Sequence, residues 1–240
     1  GLLGIAQHNA YLYEDALESL NESVKLDGSI NAATALFYRT MVKAKLKDNE
    51  GACVDLKRAQ DLNSDEAENY ENFFADDAEY ADFYKSYIEA LDNVELIEEL
   101  EICLHEFIKF VQNIPMDKFD FQYAEGKWTI KEIIQHLIDS ERVFSYRALR
   151  ISRNDKTPLP GFDENDYVAN SNGKERSLQS LLTEMAVVRQ ATLSLFNSFS
   201  QEQLTKIGIA SNKEVSVRAI GFIIIGHQKH HQKVFSERYL

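Results

Sequence analysis

Near the C-terminus, Ile220, Ile224, His227, His231, Val234 and Arg238 recur at steps of four, three, four, three and four. This spacing is the core-facing stripe of an amphipathic helix, and it restricts the fold more than any other stretch. Two imidazoles occupy stripe positions that should be apolar, one turn apart. Whatever packs on this helix must therefore satisfy them. At i and i+4 two rings can converge on one point, the geometry by which helical His pairs hold a transition metal. The competing reading is a polar cluster near a terminus, satisfied by carboxylates or water. A metal would need a third ligand from another segment, and spacing alone offers both His105 and His136.

The rest of the chain is also written for helices. Three prolines and ten glycines in 240 residues are few for a turn-rich β fold, and strand-like alternation is nowhere sustained, so the chain reads as all-α. A hydrophobic content of 44% is enough for a real core, in one large domain or two small ones. Cys53 and Cys103 lie in different helical patterns with no pair spacing, which makes a reduced, cytoplasmic state the default. No apolar run reaches membrane-spanning length; Phe222 to Ile225 is too short. Gly1 to Ile5 is apolar but lacks a basic lead-in and a cleavage site, so it does not read as a signal peptide.

The formal net charge of −13 is concentrated in one segment. Between Asp65 and Ile102 there are 14 acidic residues and one base, Lys85, whereas the remaining 25 acidic residues meet 25 basic ones. Seven aromatics, Tyr70 to Tyr87, share that segment, a candidate for joining domains or subunits or for docking a basic partner. A solvated helix face is the plainer reading. With no basic stripe, nucleic acid is excluded as a partner, because phosphate affinity rests on Lys and Arg.

The first part repeats. Tyr13-Glu-Asp-Ala16-Leu-Glu-Ser-Leu20 and Asn49-Glu-Gly-Ala52-Cys-Val-Asp-Leu56 align at an offset of 36 residues, and each closes alike, Val24 to Gly28 against Gln60 to Ser64. Another helix lies upstream of each, Leu3 to Ala6 and Arg39 to Leu46. This helix–turn–helix unit, used twice, resembles the tetratricopeptide repeat, in which a small residue, here Ala16 and Ala52, lets paired helices approach. Gly28 and Ser64 stand where that family has a helix-ending proline, and Asn49 replaces an aromatic. A degenerate third unit follows from Glu66. Gly1 to Gly4 reads as the interior of a helix. The repeats span 1–76, and by analogy they bind a protein partner in a groove; a plain helical spacer is the alternative.

The second part, 77–240, reads as four long helices with one long crossover, a four-helix bundle. Val94 to Ile114 puts Ile97, Leu100, Leu104, Phe107, Val111 and Ile114 on one face, and Pro115 stops it. Thr129-Ile-Lys-Glu132 is a capping box, opening a helix that buries Ile133, Ile134, Leu137 and Phe144 with His136 beside that face. Ser152 to Arg176 reads as a loop of functional length, carrying Pro158 and Pro160. A third helix runs from Leu178 to Phe199, and Ser216 caps the last.

Several of these stretches resemble the DinB/YfiT superfamily: Tyr84-Lys-Ser-Tyr87-Ile88, Gly126-Lys-Trp128-Thr129-Ile-Lys-Glu132, His136-Leu-Ile-Asp139-Ser-Glu141-Arg142, Thr157 to Asn165, Ser216-Val-Arg-Ala219 and Gly226 to His231. The resemblance runs in order from about Asp77 to Leu240. It implies a bundle holding a divalent metal on three histidines, at the positions of His136, His227 and His231. By that match His136 is the third ligand, while His105, beside Glu101 and Glu106, and His230, toward the flank, are surface residues. Three neutral imidazoles leave a coordination position open, as in catalytic rather than structural sites. Imidazole suits several transition metals, with zinc or nickel expected. Asp139, Arg142 and Tyr146 are candidates to orient a ligand, act as base or bind an anionic substrate. Phe162-Asp163-Glu164 is a lid candidate.

The resemblance implies a metal-dependent enzyme acting on a small molecule, either a hydrolase or a transferase using a low-molecular-weight thiol such as bacillithiol or mycothiol. Pairing as a homodimer is also implied. The alternative is an interaction module, in which the repeats bind a partner and the bundle is a scaffold around a structural or vestigial metal.

Overall fold

The computed structural model describes residues 13–26, 30–45, 48–62, 79–91 and 95–240. The chain divides into two compact units, Gly1–Phe74 and Ala75–Leu240. Three stretches from the sequence reading lie outside the described residues: the helix at Leu3–Ala6, the start of the degenerate unit at Glu66, and the first part of the acidic, aromatic segment, around Tyr70.

In the first unit, α2 (Ile30–Lys45) packs against both α1 (Tyr13–Leu26) and α3 (Asn49–Asp61). Leu20, Leu36, Ala52 and Ala59 are fully buried, and Phe37 and Leu56 complete the apolar contact. A buried carboxylate ties the helices together. Asp55 accepts two hydrogen bonds from Arg39, each 2.7 Å, and pairs with Lys43 at 2.8 Å. Arg39 also donates to Asn21 on α1 at 2.9 Å. Paired in this way, the charge offsets the desolvation that burying it costs.

The second unit begins with α4 (Asp82–Ile88), which lies on the last helix. Its frame is α5 (Leu96–Gln112), α6 (Ile130–Ser152), α8 (Leu178–Phe196) and α10 (Val217–Val234), in which α8 and α10 each touch both α5 and α6. The starts of these helices are chemically marked. Thr129 and Glu132 form the reciprocal capping box, the Glu95 carboxylate accepts from Glu98 N at 2.6 Å, and Ser216 Oγ accepts from Ala219 N at 3.0 Å. Apolar side chains gather in two clusters. One includes Leu100, Phe144, Phe196 and Ile220, the other Phe107, Ile134, Leu181 and Phe235. Between them lie the buried polar residues Glu141 on α6, Arg189 on α8, and His227 and Gln228 on α10, with His136 on α6 a little over one turn before Glu141.

Two departures from the sequence reading stand out. The chain is mainly helical but contains an antiparallel hairpin, β1 (Ile207–Ala210) with β2 (Lys213–Ser216). Its turn residues Ser211 and Asn212 have φ of 52° and 62°, the left-handed pair a two-residue hairpin needs. Four-residue strands are too short to set up a visible period of two. The segment from Ser152 to Arg176 is also not structureless. It holds α7 (Glu164–Ala169), capped by the Asp163 carboxylate, and a 3-10 turn at Gly173–Glu175. Leu159 exchanges backbone hydrogen bonds with Ile209 and Ser211, which fastens this segment to the hairpin. A short helix, α9 (Gln201–Leu204), precedes the hairpin, and the last residues form a π-helical turn, Phe235–Tyr239. Among the described residues, no helix is long and apolar enough to cross a membrane.

Candidate metal centre

The capping box sets the start of α6, and His136 follows one turn after Glu132 on the inward side, 6% exposed. His227, 7% exposed, and His231 come from adjacent turns of α10. The packing of α6 on α10 brings the three rings together. His136 Nε2 lies 3.0 Å from His227 Nε2, and His231 Nε2 lies 3.2 Å from the same atom. One ring nitrogen from each residue lies within 4.8 Å of the others.

Burial sets the chemistry of these rings. It lowers the pKa of His136 to about 4 and that of His231 to about 3, the latter helped by repulsion from His136 and His230. His227 is pushed well below the usual imidazole value by burial first and then by the other three histidines. All three rings are therefore neutral near pH 7 and present lone pairs. Metal–nitrogen bonds of about 2.0–2.1 Å imply nitrogen–nitrogen edges of about 3.4 Å in a tetrahedron and about 2.9 Å in an octahedron. The observed 3.0 and 3.2 Å fall between those limits. His231 Nδ1 is buried with no hydrogen-bond partner among the described residues. Neutral, crowded nitrogens of this kind fit a divalent transition ion.

Aromatic side chains wall the rings. Trp128 lies 5.0 Å from His136 between ring centroids, while Phe144 and Tyr87 lie 6.1 and 5.6 Å from His227. Tyr87 can approach because residue 226 is glycine: a Cβ there would stand 2.2 Å from the Tyr87 carbonyl oxygen. Burial, and then the nearby Glu164 carboxylate, raises the Tyr87 pKa, so its hydroxyl stays protonated.

The other sequence candidates sit around this centre rather than in it. Asp139 Oδ1 accepts from Gln135 at 3.0 Å, and burial raises its pKa. Arg142 pairs with Glu184 at 2.6 Å. Together with Asp166, Tyr167 and Asn170 of the α7 segment, Asp139 and Arg142 line an open cleft of about 550 Å³. Tyr146 is 52% exposed, and its hydroxyl is bonded to Arg150. His105 and His230 are exposed; His230 meets Tyr87 edge to face, with ring centroids 5.5 Å apart. Phe162 packs on Tyr167 at 4.8 Å.

Two features escaped the sequence reading. Buried Arg147 donates to Pro160 O and Ser211 Oγ at 2.9 Å each, so it pins the long segment against the hairpin. Arg189 is fully buried beside Glu141 and Gln228. Position signalled both members of the ion pair: Glu141 stands four residues after Leu137 and Arg189 four after Met185, both on core stripes.

Several known proteins resemble this chain. A protein of Oceanobacillus iheyensis named "putative metal-dependent hydrolase" is 22% identical over 139 residues, which cover 57% of this chain and 79% of the relative. A Bacillus cereus protein of the same name is 29% identical over 62 residues, covering 26% of this chain and only 35% of its own length. Among solved structures, YfiT from Bacillus subtilis, described as "a probable metal-dependent hydrolase with an unusual four-helix bundle topology", superposes with a TM-score of 0.55. It is 17% identical over 59% of this chain and 82% of YfiT, a likeness of fold. The sequence profile of the DinB superfamily matches residues 99–235, the stretch that supplies the four long helices and all three converging histidines, and the chain belongs to that superfamily.

Proposed function

We propose that the second unit is a divalent-metal-dependent enzyme acting on a small molecule, with His136, His227 and His231 as the protein ligands and hydrolysis as the reaction. The observation that carries this reading is the approach of neutral imidazole nitrogens from two separate helices to 3.0 and 3.2 Å. The names of the relatives point the same way. An ion held there supplies Lewis acidity toward a carbonyl, phosphoryl or thiol group of the substrate. Zinc and nickel suit the three nitrogens.

The chain's own residues do the rest. Trp128, Phe144 and Tyr87 keep water from the flanks of the rings and so keep the imidazoles neutral. Tyr87, whose ring lies 5.6 Å from that of His227 and whose hydroxyl stays protonated at neutral pH, is the proton donor in this reading. Asp139 and Arg142, one and two turns along α6, hold the polar remainder of the substrate in the cleft beneath α7.

Transfer of a low-molecular-weight thiol is the second reading, and one observation favours it. The described free cysteine, Cys103, is buried, and burial raises its pKa, so a reacting thiol would arrive with the substrate. For the first unit we propose two tetratricopeptide-like repeats that bind a protein partner. Support comes from the 36-residue offset, from α2 packing on both neighbours, and from the complete burial of Ala52. A homodimer is part of the proposal, and sedimentation reads it.

Elemental analysis of the purified protein beside His227→Ala tests the ligand set. The expected result is one equivalent of transition metal per chain, lost in the variant. Stoichiometric metal retained by His227→Ala refutes it.

A further inference from the structure

The polar layer between the two apolar clusters leads directly to His227. Arg189 uses all five of its N–H groups. Nε and Nη2 donate to the two Glu141 oxygens at 2.7 and 2.9 Å, Nη1 donates to Leu100 O at 2.7 Å and Cys103 Sγ at 3.0 Å, and Nη2 donates again to Gln228 Oε1 at 3.0 Å. Gln228 Nε2 donates to Cys103 O at 2.7 Å. Each Glu141 oxygen therefore keeps lone-pair capacity, and Gln228 keeps a second N–H. A cavity of about 10 Å³ lies among Glu141, Arg189, Gln228 and His227, walled by Leu137 and Phe144. That volume is about one water molecule, and a buried water needs two to four polar partners. The lining supplies them.

We propose that a single water fills this cavity, accepts the Nδ1 hydrogen of His227 and donates to Glu141, so that Glu141 positions His227 as a ligand. The inference rests on the three-histidine reading of the site. His227 Nε2 faces the other two rings, which leaves Nδ1 as the atom that carries the proton. Histidines that bind metals depend on such a partner, which fixes the tautomer, orients the ring and raises its basicity. A carboxylate reached through water does this without placing a negative group directly beside the ion. Arg189 pairs with that carboxylate in the core at 2.7 Å. The ion pair is then a support for the ligand as well as a part of the packing.

The test compares zinc affinity, by competition with a chromogenic chelator, in the parent and in Glu141→Gln. If that variant does not fold, Glu141→Gln with Arg189→Met removes the buried charge together with its partner. We expect zinc affinity to fall about ten- to a hundred-fold in the folded variant. In ¹⁵N-histidine spectra of the zinc-loaded parent, we expect a slowly exchanging His227 Nδ1–H with a cross-peak to bound water. Zinc affinity unchanged in a folded variant, or a His227 Nδ1–H that exchanges freely with bulk solvent, overturns the role of Glu141 and leaves the ligand set standing. A parent that takes up no zinc overturns both.

Discussion

Acid should unfold the metal-free protein through its buried histidines. The unperturbed imidazole value is 6.5, and burial brings His136 to about 4 in the folded chain. Between those values the unfolded chain binds a proton that the folded ring refuses. Stability is thus fully present above pH 6.5, falls as the pH drops, and levels off below the folded value. A gap of 2.5 units at about 1.4 kcal/mol each makes His136 responsible for about 3 kcal/mol. That is a large share of a typical domain stability of about 5–15 kcal/mol. His231, brought to about 3, acts in the same direction, but the rings share one point and their contributions do not add. Urea unfolding of chelator-treated protein from pH 7.5 to 4.5, followed by fluorescence of Trp128, the single tryptophan, measures the effect. His136→Asn should lower the slope between pH 6 and 4.5 by roughly 1.4 kcal/mol per pH unit relative to the parent. Surface carboxylates contribute alike to both proteins and cancel in the difference. Parallel curves for parent and variant would refute the reasoning.

Further substitutions test the packing that holds the site. Arg189→Met leaves the Glu141 carboxylate buried and unpaired, so the urea midpoint should drop by an amount equivalent to about 3–5 kcal/mol, and adding Glu141→Gln should restore part of it. Gly226→Ala places a Cβ against the Tyr87 carbonyl and should cost about 1–3 kcal/mol in thermal unfolding. Gly161→Ala, whose Cβ would meet only the Ser211 side chain, Oγ at 3.4 Å and Cβ at 3.8 Å, should be close to neutral.

Local rules made much of the second unit readable in advance. A cap acts within three residues, so Thr129 with Glu132, and Ser216, marked the starts of α6 and α10. An i, i+4 pair acts within one turn, so His227 and His231 were bound to share a face. The departures at chain level were equally local in cause: strands of four residues and a six-residue helix carry too few positions to display a period.

What only the tertiary structure decided is which distant side chains meet. His105 and His136 were equal on spacing, and the packing of α6 on α10 brings His136 to 3.0 Å from His227 while His105 faces solvent. Arg147 and Tyr146 are neighbours in sequence, yet one is buried against the 152–176 segment and the other is exposed. Glu141 and Arg189 stood on core stripes as apparent errors of pattern until the bundle closed and paired them. Capping and helical periodicity depend on a few successive residues and are written along the chain. The choice of partners across a core depends on how whole helices cross, which no short stretch of sequence contains.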